Sequence, residues 1–453
     1  MIYRKFKPDK KVYAGLSEDD KKVLAILGGV VKEVARVYEL QLKDGFYPKG
    51  ISKKVLEEAA KKDPEILSPF SFVEKKNVQL EAVPYHQKYA EYLIPISKKI
   101  EKAARICKNK SLRFYLKARA KSLIDGSYRE ADIAWLNVKN SNIDFSVGPF
   151  ERYLDKILFI KRIFQAHVGI IHKEKTAFAE KIKDTLYASA KLSTEKYHST
   201  NIPKKGVAIL VENCLASSGY MADTIFSREH FPSDLDVMQQ HGAKVLIYQS
   251  QMDLRFKKLY YYIFKSLFEK RFAQKYSREL LYEAVSFNAL IYELGRMLHK
   301  FSGSRERLKE LYGPIDEANS FASGLEHSKH LVVKGLISQD KLEAMIIMHI
   351  VWMFTDWLIY QHNNKVNENH IVGGSILLNS YFSHGALHEA GGVSWPNFSK
   401  IFFEIETLAY QLVALLQRGS YSQVQQFIKR NADLSIYQRL GKKLDFLTAS
   451  FIP

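Results

Sequence analysis

The chain has 453 residues, 46% hydrophobic and 13% aromatic, with a formal net charge of +19. That length allows two or more hydrophobic cores, and two cysteines, Cys107 and Cys214, exclude a disulfide framework. The stretch Met1–Lys11 is basic and polar, with no apolar run of the signal-peptide kind, so a cytoplasmic protein is expected.

The positive charge permits binding to nucleic acid or anionic lipid. Lys and Arg are nevertheless scattered, densest at Met1–Val12, Lys99–Lys121 and Lys257–Arg278. No helix-turn-helix, zinc-finger or RNA-recognition signature accompanies them, so solvated faces of amphipathic helices account for the charge.

Taken in order, residues 17–44 form an amphipathic helix with Ser17 as N-cap and Glu18, Asp19 and Asp20 in the first turn, where acids suit the helix dipole. Pro48, Pro64 and Pro69 punctuate a looser region. Residues 85–124 read as helix, ended by Asp125-Gly126, and a short helical piece carries Trp135. Residues 143–149 alternate and stop at Gly-Pro, which predicts a strand. A long helix is expected from Tyr153 to about Tyr197, followed by a break at Pro203 and Gly206. Val207–Val211 and Ala243–Tyr248 are strand candidates on either side of a loop-rich section.

From Phe256 to Ala449 nearly everything reads as helix, interrupted near 302–304, 313–314, 363–367 and 391–396. Leu342–Tyr360 is apolar enough to raise the question of a membrane span. His349 and Asp356 lie inside it, and a charge at mid-membrane costs roughly 2.5–3.5 kcal/mol, so a buried core helix is expected and no span.

The pattern is mainly α with a small β-sheet, an α+β chain of two lobes with a central cleft. The expected division is a helical and mixed lobe over 1–255, a helical lobe over 256–430, and a tail over 431–453 packing back on the first lobe. Within Leu281–Lys300 the apolar residues Val285, Phe287, Leu290, Ile291, Leu294 and Leu298 recur at helical spacing. That helix carries Tyr292-Glu293-Leu294-Gly295-Arg296. This has the shape of the zinc-peptidase signature His-Glu-x-x-His, with tyrosine and arginine in place of both histidines.

Four further pieces fall into order around it. They are Val147-Gly148-Pro149-Phe150-Glu151-Arg152-Tyr153-Leu154-Asp155 with the following Lys161, Phe164 and Val168-Gly169-Ile170; Phe231-Pro232-Ser233-Asp234 with Gly242-Ala243-Lys244-Val245; Ile315-Asp316-Glu317-Ala318-Asn319-Ser320-Phe321; and Asn369-His370 with Gly374 and Leu377-Leu378-Asn379. Together they resemble the dipeptidyl peptidase III family of zinc metallopeptidases, more closely its shorter bacterial-type relatives. The resemblance implies a two-lobed metallopeptidase-like fold. It places Tyr292, Arg296 and Glu317 at the zinc-ligand positions, Glu293 at the general-base position and His370 at a position that binds substrate and transition state. Arg296, Glu317, Tyr153 and Asn369 become candidate binding residues.

The substitutions remove two of three metal ligands. A phenol is protonated at neutral pH, and a guanidinium has no lone pair to offer. No metal cofactor is therefore expected. Arg296 is expected to replace the ion electrostatically by pairing with Glu317, with Glu293 as a second candidate partner. The competing expectation is a shifted zinc site built from His299, Glu317 and Glu293, with His327 and His330 as further candidates, although ten and thirteen residues past Glu317 they do not fall squarely on its helix face. Three functions follow: an inactive peptidase relative (a pseudoenzyme) binding a peptide or protein in the cleft, an active metal-dependent hydrolase with a rearranged site, or a basic protein binding nucleic acid or a membrane surface.

Overall fold

The computed structural model describes residues 2–77, 79–192, 203, 205–232, 234–363, 368–389, 393 and 395–447. The chain divides into two compact units that interleave along the sequence. One comprises Met1–Lys173, Leu210–Phe226 and Phe231–Lys244, the other Glu174–Ile209, Ser227–His230 and Val245–Pro453.

The first unit is a sheet covered by helices. Helix α1 (Glu18–Asp44) starts as the sequence predicts, with the Ser17 Oγ accepting from Asp20 N at 3.1 Å. Its buried stripe, from Val23 to Gln41, packs on the sheet, where Gln41 Oε1 accepts from Phe164 N at 2.7 Å. The helix expected over 85–124 is broken. Helices α2 (Ala90–Ile106) and α3 (Lys110–Asp125) are separated at Cys107, and Asn109 caps the second by accepting from Leu112 N. Helix α4 (Tyr128–Leu136) follows.

Strand β1 (Tyr3–Lys5) pairs antiparallel with β6 (Val207–Gly219). The looser region hides a hairpin of β2 (Ser71–Lys76) and β3 (Gln79–Pro84). Strands β4 (Ile143–Glu151), β5 (Ile163–Ile171) and β6 lie side by side and antiparallel, with His167 opposite Ser146 on one side and Ser217 on the other.

The expected long helix from Tyr153 is therefore wrong in its first half. The Asp155 carboxylate accepts from the backbone N–H groups of Ile157, Leu158, Ile160 and Lys161 at 2.9–3.1 Å, which takes those donors away from any helical ladder. The apolar run that follows is held as a strand by β4. Helix α5 (Lys173–Leu192) begins only after it, and the expected continuation over 193–197 lies outside the described residues.

Strand β7 (Arg228–Phe231) pairs with β8 (Ala243–Tyr248), and most of both strands lies in the second unit. The long helices are α6 (Arg278–Leu298), α7 (Tyr312–Val333), α8 (Gln339–Asn363), α9 (Glu368–Ser383) and α10 (Phe398–Arg418). The break expected at 313–314 is absent. Pro314 sits in the first turn of α7, where a missing N–H is tolerated. The breaks expected near 364–367 and at Gly391, Gly392 and Ser394, and the helical ending at 448–449, lie outside the described residues.

Helix α8 is long and apolar enough to cross a membrane, and 89% of its most apolar window is buried. In the segment expected to pack back on the first lobe, α11 (Ser435–Gly441) stacks Tyr437 on Trp357 of α8 at 5.2 Å.

Candidate functional site

Glycine sets how closely α6 and α7 approach. A Cβ on Gly295 would lie 2.5 Å from Ser320 O and 2.7 Å from Gly324 N, and one on Gly324 would strike Ile291 O. The two backbones thus touch where Tyr292, Glu293 and Arg296 face Asp316, Glu317 and Ser320. Tyr292 and Arg296 are one turn apart and share a face.

Arg296 Nη2 donates to Glu317 Oε2 at 2.6 Å, and Arg296 Nε donates to Ser320 Oγ at 3.3 Å. The Tyr292 hydroxyl donates to the same Glu317 oxygen and accepts from Arg296 Nη2. Tyr292 is 1% exposed and Glu317 7%, so this knot lies out of water. Burial works against the Glu317 carboxylate, but Arg296 first and His370 next hold its pKa below the ordinary carboxylate range. Burial pushes the Tyr292 phenol well above its ordinary value of 10.

Glu293 is not held by Arg296, contrary to the second candidate pairing. Its partners come from β7, where alternation puts Arg228 and His230 on one face. Arg228 Nε lies 3.2 Å from Oε1, and His230 Nδ1 donates to Oε2 at 2.8 Å. Glu229, on the other face, accepts from the Tyr248 hydroxyl at 2.7 Å. The Arg228 guanidinium lies against the rings of both Tyr292, at 4.1 Å, and Trp352, at 3.6 Å. Burial alone would raise the Glu293 pKa. The His230 hydrogen bond and the charges of Arg296 and Arg228 overcome that and hold it at about 2. Burial lowers the pKa of His230, which therefore serves as a neutral N–H donor.

One turn past Arg296, Lys300 Nζ contacts both oxygens of Asp316 at 2.8 and 2.9 Å, and the Tyr312 hydroxyl donates to Asp316 at 3.0 Å. His370 Nδ1, from α9, stands 3.3 Å from Glu317 and 3.7 Å from Asp356 of α8. Gly373 permits this approach, since a Cβ there would lie 2.9 Å from that of Glu317. Asn369 packs its side chain over Gly313 at the start of α7. Glu293, Arg296, Glu317, His370 and Asn369 thus belong to one unit. Tyr153 belongs to the other, stacked on Tyr220 at 6.0 Å.

His299 caps the end of α6 beside Phe301, and burial, followed by His327, pushes its pKa down to about 3. Among the described residues His299, Glu317 and Glu293 do not gather within reach of one ion. His327 and His330 both point at Ser189 Oγ, at 3.1 and 2.8 Å.

Arg228, His230, Trp352 and Asp356 were not singled out as site residues by sequence. Asp356 left a signal, as an acid inside an otherwise apolar helix. Arg228 and His230 left only the two-residue spacing of a short strand.

Zinc needs deprotonated donors. At positions 292, 296 and 317 the structure offers a phenol held protonated, a guanidinium without a lone pair, and a carboxylate oxygen already bonded to both. These side chains do not make a zinc donor set. A general base works best with a pKa near the operating pH, and Glu293 at about 2 is a weak proton acceptor.

No protein-family model matches the chain. A curated relative, Nudix hydrolase 3 of Arabidopsis thaliana, is 23% identical over 356 residues, which is 76% of this chain and 44% of that protein. The chain thus spans less than half the length of the curated relative it matches. Among solved structures, dipeptidyl peptidase III from Caldithrix abyssi superposes with a TM-score of 0.80 at 20% identity, covering 97% of this chain and 95% of that one. The enzyme from Corallococcus sp. strain EGB gives 0.79 at 20% identity, covering 97% and 93%. The fold is that of these dipeptidyl peptidase III structures, an α+β arrangement.

Proposed function

We propose that this chain is a non-catalytic relative of the peptidases whose fold it shares, and that it works by binding a peptide or protein partner. One observation carries the reading. The Arg296 guanidinium is bonded to Glu317 and Tyr292, so the helix positions that resemble a zinc site are filled by a fixed organic cation and its partners. The carboxylate at the general-base position supports it, because Arg228 and an imidazole N–H occupy that group and, with the charge of Arg296, hold it ionised. Chemistry that needs a metal-activated water has no donor set at this position, which leaves binding, and not turnover, as the function of a peptidase-like fold.

The test is an assay of dipeptidyl-naphthylamide hydrolysis with and without added zinc, beside calorimetric titration with unlabelled peptides of about four to eight residues. The expected result is binding without turnover, with affinity reduced by Arg296→Met. Zinc-dependent hydrolysis that disappears in Glu293→Gln would overturn the proposal.

A further inference from the structure

The sheet of the first unit buries three side chains that nothing above employs. Asp144 on β4, His167 on β5 and Glu212 on β6 are each 2% exposed or less. His167 Nε2 lies 3.0 Å from Asp144 Oδ2 and 3.2 Å from Glu212 Oε1. One ligand atom from each residue falls within 4.8 Å of the other two, the only such group among the described residues. Separations near 3 Å are the edges of a coordination shell whose bonds are about 2.0–2.2 Å long.

The surroundings already aim these atoms inward. The Ser146 hydroxyl shares a hydrogen bond with His167 Nδ1 at 2.8 Å, which leaves Nε2 turned to the carboxylates. Trp135 Nε1 donates to Asp144 Oδ1 at 3.0 Å and leaves Oδ2 facing His167. Lys244 Nζ, bonded to Trp135 O at 2.5 Å, fixes that tryptophan in turn. Such orienting bonds are what metal-binding histidines and carboxylates have around them. Apart from the His167 contact at 3.2 Å, neither oxygen of the fully buried Glu212 has a hydrogen-bond partner among the described residues. Its side chain fits only because residue 169 is glycine, where a Cβ would lie 2.6 Å from Glu212 Oε2. An ionised carboxylate in that position calls for a cation.

We propose that Asp144, His167 and Glu212 hold one divalent transition-metal ion, acquired as the sheet folds, that ties β4, β5 and β6 together. Two carboxylates and a neutral imidazole balance the charge of such an ion, and the mixed oxygen and nitrogen donors fit zinc or manganese better than calcium. Without an ion the His167 ring lies between the two carboxyl groups, at 3.0 Å from Asp144 and 3.2 Å from Glu212.

The experiment uses the full chain, produced with zinc in the medium and purified without a metal-affinity step. Total-metal analysis is expected to find about one ion per chain, with a melting temperature about 5 °C above that of protein refolded with a chelator. Glu212→Gln is expected to lose the ion. As a readout independent of that variant's folding, wild-type crystals are measured at the zinc edge, with an anomalous peak expected among the three side chains. Wild type without metal and without that peak overturns the proposal. An ion retained by folded Glu212→Gln, or an anomalous peak beside Glu317, overturns it too, and the latter also overturns the non-catalytic reading.

Discussion

Both units bury acids, and they treat them differently. Around α6 and α7 three buried carboxylates have a permanent cation within about salt-bridge distance: Arg228 for Glu293, Arg296 for Glu317, Lys300 for Asp316. In the sheet of the first unit, Asp144 and Glu212 share one imidazole; Asp144 also has the Trp135 N–H and the nearby Lys244 charge, while Glu212 has no other donor among the described residues. The first arrangement is closed. Arginine forks and a lysine satisfy the carboxylates with charges the chain itself carries, which leaves an external ion little to coordinate. The second has ligand atoms at metal-like spacing and a carboxylate still short of donors. Buried acids alone therefore do not mark a metal site; what marks one is whether the fold has already supplied their counter-charges.

The strongest way to break the contrast is to open the closed arrangement. Tyr292→His with Arg296→His restores two nitrogen donors one turn apart beside Glu317. Zinc binding is expected to go from undetectable to micromolar or tighter, read by equilibrium dialysis. Failure to bind would show that Glu317 and α6 do not converge on a metal position, and that Arg296 replaces nothing. Next comes Arg296→Met, which keeps the bulk but leaves Glu317 buried without its cation. A loss of about 3–5 kcal/mol is expected in urea unfolding. A change under about 1 kcal/mol would mean the pair is not the counter-charge claimed here.

Glu293 gives a pH test of the same point. Its folded pKa of about 2 lies below the ordinary 4.5, so the stability it contributes is complete above 4.5 and is lost as pH falls toward 2. Between pH 5 and 2 wild type is expected to lose on the order of 3 kcal/mol more than Glu293→Gln. Parallel pH profiles would refute the closed network.

How much of this could be read from sequence depended on distance along the chain. Ser17 and the acids after it marked the start of α1, because capping is local. Tyr292 and Arg296 were legible as one face of a helix, because a separation of four residues fixes their geometry. The cation on Glu293 was not, since Arg228 reaches it from a strand 65 residues earlier, and no local rule links β7 to α6. The segment 163–171 was misread as helix for the same reason. Ile163, Ala166, His167 and Ile170 satisfy a helical spacing as well as a strand, and pairing with β4 decides between them. The triad stayed invisible because its members lie on three strands 23 and 45 residues apart. Gly295 and Gly324 read as ordinary glycines until the backbones they bring together are seen. Gly295→Ala should drive a methyl into Ser320 O, shift α6 against α7 and cost about 2 kcal/mol, more than an ordinary surface substitution.

The smallest expected effect falls on the open arrangement and separates its two possible states. Ser146→Ala removes the hydroxyl that shares a hydrogen bond with His167 Nδ1 at 2.8 Å and touches neither carboxylate. In an ion-free triad one buried hydrogen bond is lost, so stability should fall by about 1 kcal/mol, with or without metal present. With an ion bound, the serine orients the ligand ring, and losing such a partner weakens metal affinity by about 10- to 100-fold. The signature of a metal site is then a stability loss that shrinks as zinc is raised during refolding. A loss independent of zinc would assign the triad to the same class as the Arg296 network, a charge cluster closed by the chain's own groups.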